Sequence, residues 1–273
     1  MKHAATALAL ILATGACATP PAPPAAAAAP EAEAAAAPSA EAVEAESARL
    51  NAWFDRKFDE AVARNPVWET YLGRKDHYGD WDDVSDANAL KELEIERADI
   101  AEMKAAFDPA LLDAQAKVSW RIAELNLKQD EADYPFRHHH YVFDQMNGVQ
   151  AEIPAFLINQ HKIDTASDAE AYISRLNGIP AYMEQNLENS RIAARMGIQP
   201  PAFVYAYVLS DAQGVITGYP FDDSGEDSPL MEDFRGKVQA LVETGTIDQA
   251  AADDLNSRAA TALHNKVGPA YAA

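Results

Sequence analysis

Apolar residues recur at intervals of three and four along most of this chain, and this spacing constrains its fold more than any other feature. After Ser47, the residues Leu50, Trp53, Phe54 and Phe58 fall on one face of a helix, and charged residues take the other face. No strand–helix alternation and no internal repeat interrupts the pattern. The sequence therefore predicts an all-α or predominantly α fold, an irregular helical domain with long loops and at most a minor β element.

Capping residues and prolines set the expected helix boundaries. Ser47 is the expected N-cap of the first helix, and Asp108-Pro109 has the composition of a helix start. Pro180 is expected to kink the longest helix. The run "AFVYAYVL" at 202–209 is compatible with a strand or a helix. The predicted helices are 47–65, 86–106, 108–129, 168–195, 229–243 and 248–266.

The N-terminus resembles that of a bacterial lipoprotein. Residues 1–17 have a positive start, a short apolar run and a cysteine after two small residues, which is typical of a lipoprotein signal peptide ending at the lipid attachment site Cys17. Thr14 departs from the leucine that usually stands there, and an ordinary secretory signal with a chance cysteine is the alternative. Residues 18–46, rich in alanine, proline and glutamate, are predicted to be a disordered tether before the folded body at 47–273.

Charge and cysteine content limit the partners and the location. The net charge of −21 repels nucleic acid, so we expect no nucleic-acid partner. Cys17 is the only cysteine, so no intrachain disulfide can form. The absence of aspartate after Cys17 favours the outer membrane. We therefore expect a protein of the cell envelope, lipid-anchored on the periplasmic side.

Three adjacent histidines lie in "FRHHHY" at 136–141. Neighbouring side chains diverge in both helices and strands, so only His138 and His140 could easily face one point, with His161 as a distant third. A zinc site needs three or four ligands, so we predict no metal site here. One histidine could face a substrate, or all three could bond to backbone groups and pack beside nearby aromatic rings.

Further polar groups could contribute to a binding site. The segment "AEIPAFLINQHKID" at 151–164 ends its apolar run with Asn159, Gln160 and His161, which could orient a peptide by hydrogen bonds or could cap a turn. The acidic groups at 80–83 and 222–227 could bind calcium, although a solvated loop is the simpler interpretation. No recognisable catalytic motif is present, so no catalytic residue is predicted.

Several collinear segments resemble the bacterial DUF885 family. The resemblance implies a relationship to helical zinc metallopeptidases whose metal signature, similar to H-E-G-x-P-G-H-H, lies in the second half of members about twice as long. None of the histidines here matches that signature, so zinc is implied only for full-length members. The matching segments are 46–87, 144–185, "RMGIQPPAFVYAYVL" (195–209), "ITGYPFDDS" (216–224) and "VGPAYAA" (267–273).

The resemblance leads to two functional interpretations. In the first, the chain is a truncated N-terminal helical half, not catalytic alone, with an exposed apolar patch where the other half would pack. In the second, it is a non-catalytic periplasmic lipoprotein that binds a peptide, for example a cationic one, or acts as a scaffold. By analogy with the family, one wall of a substrate cleft is expected to include His138, His140, Gln145, Asn159, Gln160 and His161.

Overall fold

The computed structural model describes residues 38–273, which form one compact unit. This part of the chain is predominantly α-helical, as predicted, and contains no strand beyond an isolated bridge between Tyr219 and Asp227. The predicted signal peptide, Cys17 and the first part of the predicted tether lie outside the described residues. The helices are α1 Ala40–Ala63, α2 Pro66–Tyr71, α3 Asp86–Ala106, α4 Ala114–Asp133, α5 Val149–Asn159, α6 Ala166–Arg195, α7 Ala202–Val215, α8 Pro229–Glu243, α9 Gln249–Ala262 and α10 Gly268–Ala272.

Helix α1 begins earlier than the sequence pattern indicated. The Ser39 hydroxyl accepts a hydrogen bond from the Ala42 amide and caps the helix, so Ser47 is not the N-cap. Ser47 is buried inside α1, where its hydroxyl accepts from the Asp113 amide at 2.9 Å. Residues 40–46 are alanine, glutamate and one valine. The high helix propensity of alanine and glutamate extends α1 toward the N-terminus, almost as far as Pro38, the last proline of the preceding segment.

Two other predicted boundaries also moved. Asp108-Pro109 opens only a short 3-10 turn, and α4 starts later, where the Asp113 side chain accepts from the Ala116 amide. Helix α6 is capped by Thr165, with Asp168 as the reciprocal partner of a capping box, and it continues through Pro180. The ambiguous segment at 202–209 is helical and belongs to α7. Helices α3 and α8 have the predicted bounds.

The helices pack around two apolar cores. The first core lies between α1, α3 and α4, and the second, larger core lies between α5, α6, α8, α9 and the C-terminal turn. Within residues 38–273, no helix combines the length and the apolarity needed to cross a bilayer. Helix α6 runs along the second core and presents one side to the loop between α2 and α3. The first core consists of Leu50, Trp53, Ile100, Met103, Phe107, Leu112, Ala116 and Trp120.

Candidate functional site

The aromatic-rich loop at 72–85, between α2 and α3, is fixed onto α6 by long-range hydrogen bonds. The indole nitrogen of Trp81 donates to the Arg175 carbonyl at 2.9 Å, and the Val84 amide donates to Gln185 Oε1 at 3.0 Å. Gly178 allows this close approach, because a Cβ at residue 178 would lie 2.9 Å from Trp81 Cδ1. The sequence thus places an aromatic loop firmly against the long helix.

A cavity of about 450 Å³ opens between this loop, α2, α5 and α6, and we call it the aromatic pocket. The Trp81 ring stacks on Tyr182 with 4.8 Å between centroids, and it lies 5.5 Å from the ring of Phe156. The ring of Tyr71 also packs near Phe156, with 5.6 Å between the two ring centroids. Its walls combine aromatic and aliphatic side chains with polar groups, and a concave site of this size can bind a small ligand or a peptide side chain. Its lining comprises Val67, Tyr71, Trp81, Val149, Glu152, Ile153, Ala155, Phe156, Asn159, Gln160 and Tyr182.

Three polar side chains line the aromatic pocket: Glu152, Asn159 and Gln160. Asn159 is exposed and donates from its amide to the Ala155 carbonyl at 2.8 Å, and Gln160 caps α5. The amides combine donors and acceptors and the carboxylate accepts only, so together they could orient a peptide backbone. The predicted site residues Asn159 and Gln160 therefore lie side by side at one pocket.

Carboxylates dominate the electrostatics around Tyr182. Partial burial raises the pKa of Glu152, and the charge of Asp144 raises it further, although the side chain is exposed to solvent. Burial also raises the pKa of Asp82, which lies behind the aromatic stack and accepts from the Val67 amide. Burial first, then the charges of Asp82 and Glu152, raise the pKa of Tyr182 to about 12.

Sequence reasoning did not select Tyr71, Trp81, Glu152 or Tyr182 as site residues. Their positions depend on how the loop at 72–85 crosses α5 and α6, which no local pattern reveals. The available signal was the density of aromatic residues in "NPVWETYLGRKDHYGDWDD" at 65–83, within a loop that has little helical periodicity.

A buried arginine lies behind the aromatic pocket. The Arg175 side chain is fully buried, and its three nitrogens donate to the Asp80 carbonyl, His161 Nδ1, the Pro66 carbonyl and Thr70 Oγ1, at 2.7–3.3 Å. None of these partners is a carboxylate. The charge also lies over aromatic rings, 4.7 Å from the Phe156 centroid. Burial lowers the pKa of Arg175 to about 10, so the side chain remains charged at neutral pH.

His161 is committed to this buried network. Its Nε2 donates to the Asp168 carbonyl at 3.0 Å, and its Nδ1 accepts from Arg175 at 3.1 Å. These two partners fix one neutral tautomer, and burial lowers the pKa of His161 to about 3. His161 is therefore a neutral structural side chain that supports Arg175, and it does not line the aromatic pocket.

The other predicted cleft residues lie apart from the aromatic pocket. His138 is buried, and its Nε2 lies 2.8 Å from the Asp86 carboxylate at the start of α3. His140 is exposed at the edge of an apolar groove. Gln145 is exposed in the loop before α5 and borders neither cavity. The structure thus brings Asn159 and Gln160 together and disperses the remaining four residues.

The apolar groove is a cavity of about 290 Å³ between α6, α7 and α10. Helix α7 contributes Val204 and Val208 to the groove, but of its residues only Val204 and Val215 are buried. Much of the remaining surface of α7 is apolar and open to solvent. The large α7 side chains that are between 47% and 62% exposed are Phe203, Tyr205, Tyr207 and Leu209, and two of them, Tyr205 and Leu209, also line the groove.

The described residues do not fit a zinc site. No group of three or more His, Cys, Asp or Glu side chains in residues 38–273 is arranged to hold a metal ion. His138 and His161 are already engaged by Asp86 and Arg175. In the acidic loop after α7, Asp227 pairs with Arg235 at 2.7 Å, and Asp222 accepts from backbone amides of its own turn. No metal-dependent step is derived for these residues.

These features define a class: an α-helical protein with an aromatic pocket beside its longest helix and an apolar groove under α7. A family model described as DUF885, a bacterial protein of unknown function, matches residues 66–273. The chain belongs to this family.

One solved structure extends the comparison. The fold is similar to that of a crystallised protein of Colwellia psychrerythraea assigned as a candidate lipoprotein, with a TM-score of 0.66 and 18% sequence identity. The match covers 83% of this chain and 40% of that one, so this chain spans less than half the length of its structural relative. No curated protein matches the chain.

Proposed function

We propose that this chain is a non-catalytic, peptide-binding helical part of a DUF885 envelope lipoprotein. The observation that supports this most strongly is the aromatic pocket, where Asn159 and Gln160 lie beside aromatic walls. The lipobox-like Cys17 and the lipoprotein assignment of the Colwellia protein support a lipid anchor in the cell envelope, and Ala18 in place of aspartate after Cys17 favours the periplasmic side of the outer membrane. Zinc-dependent peptidase chemistry, implied by the family resemblance, would belong to longer members.

Binding is tested with protein beginning at Pro38, since residues 38–273 contain both apolar cores. Capped alanine pentapeptides with each of the twenty residues at the centre would be titrated calorimetrically. We expect binding for part of the set, and weakening of about fivefold in Asn159→Ala, because one peptide hydrogen bond contributes about 1 kcal/mol. The control is Asn126→Ala on the exposed side of α4.

Four results would contradict this function. Failure of every peptide to bind would contradict the peptide-binding function. Equal loss of peptide affinity in the Asn159→Ala and Asn126→Ala variants would show that the peptide does not bind at the aromatic pocket. Peptide cleavage by this protein, or stoichiometric zinc retained after purification, would contradict the non-catalytic part.

A second candidate function, docking of another helical part of the protein, is favoured by the exposed face of α7. Four large apolar side chains of α7 are exposed in a protein with a net charge of −21, and two of them, Tyr205 and Leu209, border the apolar groove. The Colwellia structure continues beyond the 40% that this chain matches, so a further region like that one is a suitable occupant. An exposed apolar face of this kind is typical of an interaction surface.

A further inference from the structure

The aromatic pocket contains no basic side chain among its lining residues. Its one charged member is Glu152, and the remaining walls are aromatic, aliphatic or amide. Many other glutamates of this protein are paired: Glu46 with Arg49, and Glu188 with Arg195. The pKa of Glu152 is raised by partial burial and by the charge of Asp144, and no cation contributes to the shift. Glu152 therefore gives the pocket a negative charge that no described neighbour neutralises.

The ring faces in and behind the pocket are already used to hold a cation. Arg175 lies 5.8 Å from the Trp81 centroid and 4.7 Å from that of Phe156. Because Arg175 is fully buried and does not line the pocket, its guanidinium reaches these rings from the protein interior. Within residues 38–273, no lysine or arginine lies over the rings of Tyr71 and Tyr182 in this way. Aromatic faces attract ammonium and guanidinium groups through their quadrupole.

Two further charges favour a positive ligand at this place. Asp82 lies behind the Trp81–Tyr182 stack, and Asp144 acts on Glu152 from the loop before α5. The negative charge of the whole chain adds a long-range attraction for cations and a repulsion for anions. Arg175 opposes this field, but its charge is on the interior side of the rings.

We propose that the aromatic pocket binds a cationic group, the ammonium or guanidinium of a peptide side chain, beside the rings of Tyr71, Trp81 and Tyr182, with Glu152 as its counter-ion. This inference rests on the peptide-binding function proposed above and names the group that the site selects. The aromatic walls enclose the aliphatic stem of the side chain, and the carboxylate at the rim pairs with its charged end.

Small probes separate this inference from the function on which it rests. Nα-acetyl-lysine methylamide carries one cation, and Nα-acetyl-norleucine methylamide has a similar stem without the charge. Both would be titrated into isotopically labelled protein, with the indole resonance of Trp81 assigned by Trp81→Phe. We expect the lysine probe to shift that resonance and to bind at least about fivefold more tightly than the norleucine probe.

Matched variants test the counter-ion. Glu152→Gln should abolish most of the preference for lysine over norleucine. Glu243→Gln, which removes the same charge from the exposed end of α8, should leave that preference unchanged. Equal binding of the two probes, or equal effects of the two variants, would overturn the cation inference even if pentapeptides bind. Selective lysine-probe binding without pentapeptide binding would support the cation site and contradict the peptide function.

Discussion

Arg175 links three parts of the protein that are far apart in sequence. Its nitrogens reach Pro66 and Thr70 of α2, Asp80 of the aromatic loop, and His161 after α5. The aromatic pocket lies where these parts meet. The fork of the guanidinium is required because a lysine ammonium cannot reach acceptors in so many directions at once.

Arg175→Lys should therefore lower the free energy of unfolding by about 2–4 kcal/mol, because it leaves buried acceptors unpaired. Urea denaturation monitored by tryptophan fluorescence measures the change. The matched substitution Arg191→Lys, at an exposed position of the same helix, should cost less than about 0.5 kcal/mol. Similar losses in the two variants would show that the buried network does not stabilise the fold.

His161 should make stability depend on pH. Folded His161 takes up a proton only near pH 3, whereas an imidazole in the unfolded chain does so near pH 6.5. Between these values the unfolded state binds more protons, so the free energy of unfolding falls as the pH is lowered through this window. From pH 6 to pH 5 the contribution of His161 should decrease by about 1 kcal/mol.

The non-titrating variant His161→Gln isolates this contribution, because other titrating groups are common to both proteins. The difference in unfolding free energy between wild type and variant should shrink by that amount from pH 6 to pH 5. A difference that stays constant with pH would mean that His161 is not held in the neutral form.

At the scale of elements, the sequence identified most helices because apolar spacing and capping residues together mark them, and the periodicity is clearest in α1 and α8. It failed where a boundary depends on contacts outside the helix, as at Ser47, whose side chain is buried against the Asp113 turn. Helix α7 was ambiguous because its apolar residues are spread around the whole helix, and only a narrow stripe of them is covered. Only the fold shows that the rest of that surface is exposed.

Gly178 tests the contact between α6 and the aromatic loop. Alanine in place of glycine within a helix normally stabilises by about 0.5–1 kcal/mol. At residue 178 the added methyl would collide with Trp81, so Gly178→Ala should destabilise by about 1–2 kcal/mol and displace the indole from Tyr182. Thermal unfolding and the tryptophan emission maximum report the two effects.

Gly236 in α8 supplies the control, because nothing lies within 4 Å of a Cβ added there. Gly236→Ala should show the normal gain in stability. If Gly178→Ala also stabilises the protein, the loop does not pack against α6 as described.

Helix α7 allows a test of the docking function. Replacing Phe203 and Leu209 together by serine should leave the unfolding free energy within about 1 kcal/mol, because both side chains are exposed. The same variant should bind less of an apolar fluorescent dye. A large loss of stability would show that this face is already covered within the folded chain.

At the scale of the whole molecule, the sequence predicted the helical class correctly and could not indicate the site. The helical class follows from periodicity, whereas the pocket arises from contacts such as Val84 with Gln185, 101 residues apart. Asn159 and Gln160 were selected from local sequence, and they meet Trp81 and Tyr182 only in the fold. The charge of −21 defines the sign of a favourable ligand without locating it.

The most direct test of this account is a crystal structure of residues 38–273 with a bound lysine-containing peptide. The account predicts the lysine ammonium within about 4 Å of the Glu152 carboxylate and within about 6 Å of the centroids of Trp81 or Tyr182. A peptide bound in the groove under α7, or a lysine directed into solvent while the aromatic pocket stays empty, would contradict it.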